Sequence, residues 1–182
     1  LSSWREELAA WRPLPAATVD LLRAAAREGR PPMDVLRMAA GTLDLELPAE
    51  MQNDAGLGTV LVARTPTVVA AYWRLRQGLE PVAPDASLGH AANYLQMLTG
   101  ARPREAAARG LETYLNTVAD HGLNASTFAA RVIIATGSDM VSAVTGAIGA
   151  LKGPLHGGAP GPALDMVFEI GTAECAEPYL RA

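Results

Sequence analysis

One histidine in this chain is framed by residues whose main effect is on backbone shape. His156 lies in L-K-G-P-L-H-G-G-A-P-G-P, residues 151–162. Gly153-Pro154 precede it, Gly157-Gly158 follow it, and Pro160, Gly161 and Pro162 complete the segment. No regular helix runs through such a stretch, and a strand tolerates it poorly. Glycines let backbone approach a ligand closely, and their N–H groups can face carbonyl or carboxylate oxygens. That makes His156 the first place in the chain to look for chemistry. Two other histidines have ready structural reasons to be where they are. His121 ends a helix in A-D-H-G, where a cation is favoured by the helix dipole. His90 falls in the first turn of another helix.

The elements that must position these residues read as helices throughout. Residues 139–151 deliver the chain to the His156 segment. This helix is rich in small residues: Ser142, Ala143, Thr145, Gly146, Ala147, Gly149 and Ala150. Glycine inside a helix costs about 1 kcal/mol relative to alanine, so two of them imply another backbone lying close. Either a helix of the same chain or a subunit interface shared with residues 128–135 would meet that need. Asn124 or Ser126 caps the preceding helix, which runs to Thr136.

Upstream, helical patterns cover residues 1–11, 16–28 and 31–43, then 57–77 with Pro66 inside. Ser87 is placed to cap a helix over 88–99. Residues 103–120 carry an apolar stripe of Ala107, Leu111, Leu115 and Val118, expected to be buried. Downstream, helices are expected from Pro162 to Ile170 and onward from Thr172. No strand-like alternation survives. The expected fold is all-α, with eight to ten helices in a single domain over residues 1–182.

Composition narrows the function classes. The net charge of −4 and the scatter of basic residues argue against nucleic acid or an anionic membrane as partners. No apolar run approaches the roughly 18 residues of a membrane span. The single Cys175 cannot form an internal disulfide, which points to a cytoplasmic setting. Three isolated histidines and one cysteine lack the spacing of a metal-ligand set, so no metal site is expected. The chain has no G-x-S-x-G and no phosphate-binding G-x-x-x-x-G-K-[ST].

Several segments, in order, resemble the citrate synthase family. Residues 33–37 read M-D-V-L-R, residues 91–98 A-A-N-Y-L-Q-M-L, residues 119–127 A-D-H-G-L-N-A-S-T, and residues 149–159 G-A-L-K-G-P-L-H-G-G-A. The last two are long and specific. The resemblance implies an all-α large domain of a dimer whose interface is a sandwich of helices, here formed near residues 124–151. It implies condensation of acetyl-CoA with oxaloacetate to citrate, then hydrolysis of citryl-CoA. No cofactor is needed, because the CoA thioester is a substrate.

The resemblance assigns His156 the hydrogen bond to the thioester oxygen as the enol forms. It assigns His121 and Asn124 to oxaloacetate binding, with Ser126, Gly157 and Gly158 in support. Ser126 is the hydroxyl expected on the second ring nitrogen of His156. Close alternatives are a 2-methylcitrate synthase using propionyl-CoA, or a non-catalytic helical dimerisation module.

Departures from the family pattern are also visible. Its H-G-G-A-N-E reads His156-Gly157-Gly158-Ala159-Pro160-Gly161 here, and the Glu that follows its first histidine is Gly122. The family's G-F-G-H-R segment and the catalytic aspartate beyond it do not occur within the 182 residues. The expectation is therefore a large-domain portion, with a small domain following Ala182. A genuinely short homologue would lack a base for the methyl proton.

Overall fold

The computed structural model describes residues 2–120, 122–158 and 160–181. Among them are ten α-helices and one 3-10 turn, with no strand.

Helix α1 spans Ser2–Ala10, and Pro13 and Pro15 separate it from α2, Ala16–Arg27. Pro32 opens α3 at Pro32–Ala40, where its missing N–H costs nothing. The expected continuation to Leu43 is replaced by turns over 41–46, although Leu43 itself is fully buried. Helix α4, Asp54–Leu75, starts at Asn53, whose side chain accepts from the Gly56 N–H. Pro66 lies inside α4 and does not divide it. The carbonyl it cannot serve belongs to Val62, which lies on the exposed side of the helix.

Helix α4 is the axis of the core, with α1, α2, α3, α5 and α8 packed around it. Leu22, Val35, Leu43, Val60, Val68, Tyr72 and Val141 form one continuous apolar cluster. Buried Arg64 on α4 donates to the carbonyls of Pro13, Leu43 and Leu45, and its guanidinium lies 5.8 Å from the centre of the Trp11 ring. It thereby satisfies three carbonyls of non-helical backbone, two of them in the turn after α3.

Two expectations fail in the next segment. Ser87 does not cap α5, which spans His90–Thr99 with Gly89 at its N-cap. The Asp85 carboxylate instead accepts from both the N–H and the hydroxyl of Ser87, making a turn. Helix α6, Glu105–Thr117, buries none of its residues within the chain. The stripe foreseen as core leaves Leu115 and Val118 exposed, beside Tyr114.

Helix α7, Ala125–Ile134, and α8, Met140–Leu151, pair closely. A Cβ at Gly146 would stand 2.2 Å from Ile133 Cδ1, so the glycine of α8 admits a side chain of α7 from the same chain. Gly149 faces α3, with Arg37 Cδ 3.8 Å from where its Cβ would be. Close packing within the chain thus accounts for Gly146, whereas a side chain at Gly149 would make only an ordinary van der Waals contact. The hairpin of α9, Pro160–Ile170, and α10, Ala173–Arg181, is exposed along most of its length.

Candidate active site

The site is built where α8 ends and α7 begins. Lys152 closes α8, its N–H bonded to the Ile148 carbonyl at 2.9 Å. The chain then folds back in a tight turn in which His156 N and Gly157 N both donate to the Gly153 carbonyl, at 2.9 and 3.1 Å. The two glycines after His156 are required by sterics. A Cβ at Gly157 would stand 2.1 Å from the Leu151 carbonyl oxygen, and one at Gly158 2.7 Å from that of Pro154. Backbone cannot yield as a flexible side chain can, so the turn exists only with glycine at those positions.

The His156 ring is half-buried, and its Nε2 lies 2.9 Å from Ser126 Oγ. Ser126 Oγ lies 2.7 Å from Asn124 Oδ1, and that oxygen also accepts the Thr127 N–H at 2.9 Å. Asn124 is therefore the N-cap of α7, and Ser126 stands in its first turn. The direction of each proton follows from these contacts. The Asn124 oxygen is an acceptor only, so the single Ser126 hydroxyl proton goes to it. Ser126 then accepts from His156, and Nε2 carries a hydrogen. A neutral His156 in this arrangement has Nδ1 unprotonated. For Nδ1 to donate, either the Ser126 hydroxyl turns from Asn124 to Nε2, or the ring carries both protons.

Ser126 is thus in contact with the second ring nitrogen of His156, as the sequence suggested, and Asn124 joins the same array. His121 lies outside the described residues. Asp120, just before it, accepts the Gly122 N–H at 3.1 Å. A residue that sequence reasoning passed over completes the neighbourhood. Asp34, in the first turn of α3, pairs with Lys152. That ion pair and the influence of Arg30 and Arg37 hold the Asp34 carboxyl below the usual carboxylate range. Lys152 is the chain's only lysine and Asp34 sits in the M-D-V-L-R segment, but nothing in the sequence joins the two.

His90 belongs to different surroundings. It lines a cavity of about 490 Å³ with Trp4, Arg12 and Glu112. Burial, then the nearby Arg12 charge, pushes its pKa down, and its Nδ1 is buried without a partner. It makes no contact with the His156 array among the described residues.

The fold and site define an all-α domain with a glycine-framed histidine at one helix end, set against a capped neighbouring helix. The comparisons identify its family. The family model described as "Citrate synthase, C-terminal domain" matches residues 1–182. Citrate synthase 2 of Bacillus subtilis is 43% identical over 187 residues, covering 100% of this chain and 50% of that protein. A 2-methylcitrate synthase of Mycobacterium tuberculosis is 47% identical over 153 residues, covering 83% of this chain and 39% of that protein. The crystal structure of citrate synthase from Pyrobaculum aerophilum superposes with a TM-score of 0.83 at 40% identity, over 94% of this chain and 46% of that one. The chain belongs to the citrate synthase family. It spans half or less of the length of these relatives.

Proposed function

We propose that the protein of which this chain forms the large-domain part condenses acetyl-CoA with oxaloacetate and hydrolyses the resulting citryl-CoA. A carboxylate base outside these residues takes a proton from the thioester methyl group. The enolic carbon attacks the ketone carbon of oxaloacetate, and the new alkoxide takes up a proton. Water then cleaves the thioester and releases CoA. His156 donates to the thioester oxygen while the enol exists. A fixed donor of this kind typically contributes about 3 kcal/mol to the transition state. His121 and Asn124 hold oxaloacetate, and Gly157 and Gly158 keep the His156 turn compact. The reaction needs no cofactor.

The observation that carries this reading is the Asn124–Ser126–His156 array at the end of α8, in a chain of this family. In the donating state the Ser126 hydroxyl turns to Nε2, leaving Nδ1–H for the substrate. A second reading, in which propionyl-CoA is used, is favoured by the 47% identity to a 2-methylcitrate synthase. A homodimer through α7 and α8 belongs to the same proposal, supported by the exposure of Phe128 and Val132 on α7. So does a cytoplasmic setting, supported by the free thiol of Cys175.

The test is release of free CoA thiol by the full-length protein given oxaloacetate with either thioester. Faster turnover of acetyl-CoA supports the first reading, and faster turnover of propionyl-CoA the second. Release with neither returns the chain to a helical dimerisation module.

A further inference from the structure

The turn carrying His156 has little holding it. Leu155 is fully exposed, and Gly157 and Gly158 are exposed as well. Among the described residues, two side-chain ties connect this segment to distant elements. His156 reaches Ser126 on α7, and Lys152 reaches Asp34 on α3, 118 residues away in the chain. The second tie sits at the hinge of the turn, because Lys152 is both the last helical contact of α8 and the residue before Gly153. Asp34 is itself nearly buried, with its side chain 12% exposed, so its position is fixed by the packing of α3 on α4 and α8. Lys152 is half-exposed. A pair of this kind adds little to global stability. Its location gives it another effect: it fixes the direction in which the backbone leaves α8.

We propose that Asp34 and Lys152 are positioning residues whose ion pair clasps the start of the 153–158 turn to α3 and so sets where the His156 ring stands. The proposal rests on the catalytic reading of His156. A displacement of about 1 Å at a reacting group can cost up to a hundredfold in rate. An effect on turnover well beyond the effect on stability is therefore expected.

The experiment uses the full-length protein, with Lys152→Met, Asp34→Asn, the double variant and Lys152→Arg. The expected result is a fall in kcat of about tenfold in each single variant. The double variant should fall no further, the KM for oxaloacetate should stay within about twofold, and Lys152→Arg should recover most of the rate. The thermal midpoint of Lys152→Met should stay near that of the parent, while amide hydrogen exchange over 152–158 quickens. Unchanged exchange over 152–158 in Lys152→Met overturns the clasp, as does a kcat equal to the parent's. A parent protein that condenses neither thioester overturns the catalytic reading, and the exchange result still decides whether the clasp holds the turn.

Discussion

The two halves of this chain treat their apolar residues differently. Helices α1–α5, joined by one face of α8, close a core around α4, in which Leu22, Val35, Leu43 and Ala91 are completely buried. Helices α6–α10 leave Tyr114, Phe128, Val132, Phe168 and Leu180 more than half exposed. The candidate site lies on the second half, at the junction of α7 and α8, and is tied back to the first half through Asp34. The first half, with Val141 of α8 packed into it, is a foundation held by burial, and the second half carries most of the exposed apolar surface.

The contrast can be broken at several points. The largest effect is expected at Gly157. In Gly157→Ala the new Cβ cannot coexist with the Leu151 carbonyl, so the turn must open. Condensation activity should fall by about a hundredfold, while the thermal midpoint, set by the α4-centred core, changes little. A fall in midpoint as large as that of a core variant would show that the turn is part of the foundation.

Next come paired substitutions in the two halves. Leu22→Ala, at a site with no exposure, should cost about 3 kcal/mol in denaturant unfolding. Phe128→Asp, at 60% exposure, should cost the isolated subunit less than about 0.5 kcal/mol, and in the homodimer proposed above it should shift sedimentation from dimer to monomer. Equal losses of stability would remove the distinction between the halves.

The smallest effect concerns His90, on the foundation side. Its folded pKa lies below the ordinary value, so on acidification the unfolded chain takes up the proton first. Its neutral burial supports the fold above about pH 6.5 and is lost as pH falls below that. His90→Gln should flatten the decline of the thermal midpoint between about pH 7 and 5. A decline unchanged by the substitution would place the acid sensitivity elsewhere.

Much of this was legible in the residues. The Gly/Pro frame marked His156, and two of its glycines, Gly157 and Gly158, proved to be dictated by carbonyl oxygens within 3 Å of where their side chains would be. The sequence offered Asn124 or Ser126 as the cap of α7, and Asn124 takes the role by accepting the Thr127 N–H. The apolar stripe of α6 misled because a 3.6-residue period says that a face is apolar and not what covers it. Ser87 misled because a nearby carboxylate, Asp85, captured its N–H and hydroxyl first. The Asp34–Lys152 pair joins segments 118 residues apart, which no local pattern can reveal. The direction of the Ser126 proton depends on Asn124 accepting twice, and only geometry shows that.

The proposed role of His156 is to stabilise the enol at the thioester oxygen. Its most direct test is kcat of the full-length His156→Ala variant at saturating oxaloacetate and thioester, with helix content checked by circular dichroism. A fall of about 10²–10³-fold with helix content unchanged is expected. A kcat equal to that of the parent would contradict it.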